Sequence, residues 1–319
     1  IIKIKRDKIS DESKPYKRRS VRRKNKMILC IGEILADLIG KEENGRYSYD
    51  MFIGGAPFNV AINAKRAGAK VGFVGRVGKD PIGKFLISTA KKANLDYTDI
   101  QTDGERNTTL AIVSLNNGER DFAFFRHDAA DFNIDISKID IKRYTDLNIV
   151  HLGSLMLSEE KGRVFAENIV KTVKNEGKLL SFDVNFRMDL YDDTESAIKA
   201  YKPFIEAADI LKFSDDEIKT YTKREDLGAA VKAVKKDNTL LLISMGSRGS
   251  MYVYNDLSGV IPSKKVVPVD TTGAGDAFFG TALAYLDEKE FTKENIEFAL
   301  KKGNEAGAGT VLFKGAVKI

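Results

Sequence analysis

Apolar residues recur in two rhythms along the chain, and their alternation predicts most of the architecture. Short apolar runs at 28–32, 71–75, 149–153, 179–183, 210–213 and 240–244 have the length of buried strands. Between them, 56–67, 84–93, 161–175, 197–207 and 227–236 repeat apolar residues every three or four positions, as helices with one buried face do. Gly68 supplies a helix stop. This rhythm predicts an α/β fold, a mainly parallel sheet with helices on both faces. Two stretches depart from it. Residues 47–53, and the pair 109–115 and 120–126 around Asn116-Asn117-Gly118-Glu119, alternate at period two and predict antiparallel strands with a hairpin turn. Leu110, Ile112, Phe122 and Phe124 are expected to make one face of that small sheet apolar. No internal repeat or low-complexity tract is present.

The 319 residues, 43% hydrophobic and 31% charged, suffice for one large α/β domain or two small ones. No run of about 18 apolar residues and no secretion-type leader stands in the sequence. Cys30 is the only cysteine, which excludes an intramolecular disulfide; its apolar run predicts burial, and a reducing cytoplasm is the expected setting. The net charge of +6 is unevenly spread. Of 52 basic and 46 acidic residues, 12 and 3 fall in residues 1–26, leaving 40 and 43, a body of −3. That leader has no apolar periodicity and is expected to be disordered or a remnant of expression. A nucleic-acid arm is the alternative for it; the acidic body argues against a nucleic-acid partner.

Chemistry concentrates in Asp270-Thr271-Thr272-Gly273-Ala274-Gly275-Asp276, between a strand-like run at 266–269 and a helical pattern at 277–286. Gly273 and Gly275 let successive N–H groups point one way, and a helix opening at about Asp276 adds the positive end of its dipole. The combination predicts an anion site that a phosphate would fit. Asp276 at its mouth suits a base taking a proton from an attacking hydroxyl. Asp is also a common N-cap, and the segment alone leaves both readings open. Residues 78–84 satisfy Gly-x-x-x-x-Gly-Lys, but Phe85 replaces the hydroxyl a P-loop needs for Mg²⁺, and Pro81 removes an amide. Gly246-Ser247-Arg248-Gly249 lacks the spacing of a dinucleotide fingerprint. His127 and His151, the only histidines, have no nearby cysteine and predict no metal centre of their own.

Read as Asp-Thr-Thr-Gly-Ala-Gly-Asp-Ala-Phe, residues 270–278 resemble the C-terminal signature of the ribokinase-like (PfkB) family of sugar kinases. Gly54-Gly55-Ala56-Pro57-Phe58-Asn59-Val60-Ala61 resembles that family's sugar-binding motif, and 72–83 fits the pattern between them. The resemblance covers about 27–319. It implies one ribokinase-like kinase domain with lid strands from about 38–53 and 109–126, ATP and Mg²⁺ as cofactors, and a sugar substrate. On matching positions, Asp276 resembles the catalytic base, and the amides of Gly273, Ala274 and Gly275 the anion hole for the moving phosphoryl group. Asp37, Gly54, Gly55 and Asn59 resemble sugar-binding residues; Arg126 and Arg187 are further substrate contacts in this reading. Asn185, Ser214, Ser244, Gly246, Gly249 and Asn304 fall on the nucleotide side. The family's Asn-x-x-Glu is Ser214-Asp215-Asp216-Glu217 here, so Glu217 keeps the Mg²⁺-linked carboxylate, directly or through water, while Ser214 departs. Asp270 and the Thr272 carbonyl match positions tied to a monovalent cation, K⁺, in some members.

Ala56-Pro57 and the stretch Phe125-Arg126-His127-Asp128-Ala129-Ala130-Asp131 look most like the fructokinase branch. Ala56 stands where members acting on phosphorylated sugars tend to carry Lys, which favours a neutral sugar. A 2-keto-3-deoxygluconate kinase remains the rival, with Arg126 and Arg187 pairing the acid. A catalytically silent binding protein is the alternative from another class. Several family members pack two lids together, which implies a homodimer through the β lid.

Overall fold

The computed structural model describes residues 26–116 and 119–319. The expectations for the leader, Lys26 excepted, and for the turn at 117–118 lie outside the described residues. The chain runs through β1 (Met27–Ile31), β2 (Leu35–Glu43), β3 (Arg46–Gly54), α1 (Ala56–Arg66), β4 (Lys70–Gly78), α2 (Pro81–Lys92), β5 (Tyr97–Asp103), β6 (Leu110–Asn116) and β7 (Glu119–Phe125). It continues through β8 (Leu147–Leu152), α3 (Glu160–Asn175), β9 (Leu179–Asp183), α4 (Thr194–Ala207), β10 (Ile210–Ser214), α5 (Asp215–Thr222) and α6 (Leu227–Val234). Last come β11 (Leu240–Ser244), β12 (Ser250–Tyr254), β13 (Leu257–Ile261), α7 (Ala274–Leu286) and α8 (Lys293–Thr310).

One sheet has the order β13-β12-β11-β10-β9-β8-β1-β4-β5 and is parallel from β11 to β5, with β12 and β13 antiparallel at its edge. Side chains of a strand alternate between faces, so β1 feeds two cores. Ile28 and Cys30 pack with Phe58 of α1, Phe279 of α7 and Leu300 of α8, while Leu29 and Ile31 pack with Phe165 of α3 and Phe204 of α4. Glycines let the helices of the first layer approach closely: a Cβ on Gly303 of α8 would sit 2.7 Å from the Phe278 carbonyl oxygen. The direction in which successive strands are added reverses between β1 and β8, and the crevice at such a reversal opens at the carboxyl ends of the strands. Among the described residues no helix is long and apolar enough to cross a membrane.

A second sheet, β3-β2-β6-β7, stands over that crevice. Its two hairpins are antiparallel and meet through a parallel β2–β6 pairing. Register corrects the expected apolar face. Ala111 pairs with Phe124 and Ile112 with Ala123, so Leu110 and Ile112 lie on the opposite face from Phe124, and the Phe122 side chain lies outside the described residues. The inner face carries Asp37, Ala111 and Phe124; the outer carries Leu38, Met51 and Ile112. Another expectation fails at 266–269, which pairs with no strand: Val267 and Val269 are exposed, and the Val269 and Asp270 N–H groups both donate to the Val311 carbonyl beyond α8. The P-loop look-alike is an ordinary helix start, with Asp80 capping α2 by accepting from Gly83 N–H at 2.7 Å and Pro81 in the first turn.

Candidate active site

The ends of β1, β9 and β10, the first turns of α1 and α7, and the inner face of the lid enclose a cavity of about 270 Å³. Asp276 lies in the first turn of α7, which opens at Ala274, two residues earlier than the sequence suggests. Gly273 caps that helix at φ +74°, and a Cβ there would lie 2.6 Å from the Ala316 methyl, so glycine is required. Asn59 of α1 donates from Nδ2 to Asp276 Oδ2 at 2.8 Å. Burial raises the Asp276 pKa above the ordinary carboxylate value; the Asn59 bond, Lys212 and Arg187 oppose the rise without cancelling it.

Gly54 and Gly55 serve different neighbours. A Cβ on Gly54 would overlap the Asp37 carboxylate, and one on Gly55, at φ +106°, would overlap the Glu33 carbonyl. Asp37, Gly55, Asn59, Asn185 and Arg187 line the cavity; Gly54 lies beneath Asp37. Arg126 does not line it, which corrects the expected sugar contact. Its guanidinium is buried against Asp131, with Nε and Nη2 2.9 and 2.7 Å from Oδ2, donates to Ser158 Oγ at 2.5 Å, and stacks 4.8 Å from the Phe132 ring.

Three groups with no role assigned from sequence complete the wall: Glu33, Asp183 and Lys212. Lys212 Nζ lies 2.8 Å from both Asp183 carboxylate oxygens, with both side chains buried. Burial works against the lysine charge, but Asp183, Glu217 and Asp276 outweigh it and raise its pKa; burial also raises that of Asp183 despite the pairing. We take Lys212 as charged. Its signal in the sequence is a lysine inside an otherwise apolar strand, Ile210-Leu211-Lys212-Phe213, where a buried charge demands a partner.

Beyond the start of α7 a second cavity, about 480 Å³, is lined by Ser244, Gly246, Gly249 and Asn304, with Val266, Phe278 and Val311 as apolar wall. Thr271 and Gly275 border both cavities. Asn304 Nδ2 donates to the Ile261 carbonyl at 2.9 Å. Ala274 borders only the second cavity, and its N–H donates to the Thr271 carbonyl at 3.3 Å, so of the three expected anion-hole amides this one already has an acceptor. Ser214 lines neither cavity. Its hydroxyl accepts the Glu217 N–H at 3.2 Å while Glu217 Oε2 accepts the Ser214 N–H at 2.6 Å, a capping box that starts α5. Glu217 Oε1 accepts from Phe186 N–H at 3.2 Å, and its charge acts on Asp183, Lys212 and Asp276. Among the described residues no three His, Cys, Asp or Glu side chains gather as a metal site. Asp270 is buried, accepting from Thr272 N–H at 2.7 Å and from Gly315 N–H at 3.0 Å, which ties the 270–272 turn to the C-terminal segment.

Residues 25–318 match the family described as pfkB family carbohydrate kinase. The chain is 34% identical to probable fructokinase-7 of Arabidopsis thaliana over 307 residues, covering 91% of this chain and 88% of the relative. The fold superposes on a fructokinase from Xylella fastidiosa with bound ATP at TM-score 0.82 and 28% identity, covering 92% of this chain and 94% of that one. A double-mutant fructokinase of Vibrio cholerae O395 holding fructose, ADP and a potassium ion aligns at TM-score 0.82 and 27% identity, with 92% and 94% covered.

Proposed function

Because the chain belongs to the pfkB family of carbohydrate kinases, we propose that it transfers the γ-phosphoryl group of ATP to fructose, giving fructose 6-phosphate. The observation that carries this reading is a half-buried carboxylate, Asp276, held at 2.8 Å by Asn59 and next to Gly275, which borders both cavities. Sugar occupies the cavity under the lid, with Asp37, Gly55, Asn59 and Arg187 around it. Nucleotide occupies the cavity lined by Ser244, Gly246, Gly249 and Asn304. Asp276 accepts the proton of the attacking hydroxyl as the bond to phosphorus forms; a pKa raised by desolvation makes it a stronger proton acceptor than an ordinary exposed carboxylate. The N–H groups of Gly273 and Gly275, at the positive end of α7, stabilise charge on the phosphoryl oxygens, and Arg187 and Lys212 add to that field.

Mg²⁺ would fit here as an ion that arrives with the phosphates rather than in a protein cage, with Glu217 the carboxylate that would hold it, directly or through water. Bound there it would neutralise the phosphate charge. The pinned Asp270 turn is where we place K⁺, an ion that the Vibrio cholerae fructokinase also binds. The pairing of Arg126 with Asp131 removes one of the two arginines the sugar-acid reading relied on and leaves it Arg187. A homodimer through the outer lid face, where Tyr49, Met51 and Phe125 are exposed, and a cytoplasmic setting belong to the same proposal. A coupled ATP-turnover assay over a sugar panel, with and without K⁺, tests it. Fructose should give the highest kcat/KM; preference for 2-keto-3-deoxygluconate, or no turnover, would overturn it.

A further inference from the structure

Glu33 stands two residues after β1, is 2% exposed, and lines the cavity under the lid. Its Oε1 accepts the Ala56 N–H at 3.2 Å, the first amide of α1. Its Oε2 is buried with no hydrogen-bond partner, and so is Oδ1 of Asn59, whose Nδ2 is bonded to Asp276. Folded proteins pair nearly all their buried polar atoms, and an orphan is destabilising. Two orphans on residues that line one cavity point to a ligand that satisfies both.

We infer that Glu33 is a further sugar-binding residue: Oε1 fixes the start of α1, while Oε2 hydrogen-bonds one hydroxyl of the bound sugar, beside a second hydroxyl that donates to Asn59 Oδ1. The inference rests on the sugar-kinase reading. The charges that act on Glu33 are Asp131 and Asp276, which repel, and Arg126, which attracts; burial outweighs them all and pushes the carboxyl up to about 8. Near pH 7 it is therefore a neutral acid whose O–H donates, and a sugar oxygen is a fitting acceptor. The same neutrality keeps a third negative charge away from Asp37 and Asp276.

Kinetics of Glu33→Leu and Glu33→Gln against fructose, its monodeoxy analogues and ATP test the assignment on the full chain. Glu33→Leu should raise the fructose KM about tenfold while leaving the ATP KM within about twofold. The analogue lacking the hydroxyl that Glu33 holds should bind the wild type poorly and lose nothing further in Glu33→Leu, whereas the other analogues pay the full penalty. Glu33→Gln keeps an acceptor for Ala56 and a donor for the sugar, so its fructose KM should stay within about threefold at pH 7 and remain flat above pH 8, where the wild-type KM rises as the acid ionises. If Glu33→Leu fails to fold, this pH profile decides alone. Unchanged fructose KM values in an active enzyme, equal penalties for every analogue, or parallel pH profiles for wild type and Glu33→Gln would overturn the Glu33 assignment by itself. A wild type that phosphorylates no sugar would overturn the underlying reading and this assignment with it.

Discussion

Asp131 fastens the lid to the body, and removing its carboxylate should loosen both. Thr109, the residue before β6, donates its hydroxyl to Asp131, and Arg126, the residue after β7, pairs with it through two nitrogens, so one side chain grips both ends of the lid hairpin. Arg126 and Asp131 side chains are only 4% and 1% exposed. Asp131→Ala strands a buried guanidinium left with Ser158 and, at 4.0 Å, the half-exposed Glu159 carboxylate. Breaking a buried pair in this way costs about 3–5 kcal/mol. For a chain of this size, with an unfolding entropy of roughly 2 cal/mol/K per residue, that corresponds to a fall in Tm of roughly 5–8 °C. Thr109→Val removes one neutral donor and should cost about 1 kcal/mol. Because β6 and β7 bring Ala111 and Phe124 to the cavity, fructose KM should rise in both variants while ATP KM holds. Replacing both partners with apolar residues, Arg126→Met with Asp131→Leu, should recover much of the lost Tm. Scanning calorimetry with sugar and ATP kinetics reads all of this. A Tm for Asp131→Ala within about 1 °C of wild type, or sugar and ATP KM values that rise together, would refute the clamp.

Lid register separates two further effects. Ile112→Glu, on the outer face, should weaken dimerisation in light scattering with little change in kcat, whereas Phe124→Glu, on the cavity wall, should raise fructose KM and leave assembly intact. The protonated Glu33 also makes a stability prediction. Its folded pKa of about 8 lies above the ordinary 4.5, so its stabilising share is complete below pH 4.5 and is lost as pH rises toward 8. Glu33→Gln carries no such loss, so its Tm should exceed that of wild type at pH 8 and approach it near pH 5; the reverse order would refute the buried acid.

The parallel body was legible because a strand buried on both faces reads as a nearly continuous apolar run, as Met27–Ile31 and Leu240–Ser244 do. α8 escaped the sequence pattern because Gly303, Gly307 and Gly309 interrupt its helical signal, although Gly303 is what admits it against α7. Val266 and its neighbours looked like a strand because β-branched composition says nothing about whether a partner strand is present. The glycine motifs announced the site, since backbone conformation at Gly55 and Gly273 is written in residue type. Glu33 and Lys212 were not announced: each acquires meaning only through partners far along the chain, Ala56 for one and Asp183 for the other. Arg126 shows the converse, where a sequence pattern offered a ligand and tertiary structure had already paired it.

The central claim is that Asp276 is the base of a sugar kinase, and Asp276→Asn tests it most directly. Asn preserves size and can still pair with Asn59, so the Tm and the Kd for ATP should stay close to wild type. Single-turnover phosphoryl transfer from ATP to fructose should fall by roughly a hundredfold to ten-thousandfold, the range lost with a general base. Transfer within about threefold of wild type by a folded, ATP-binding Asp276→Asn would contradict the account.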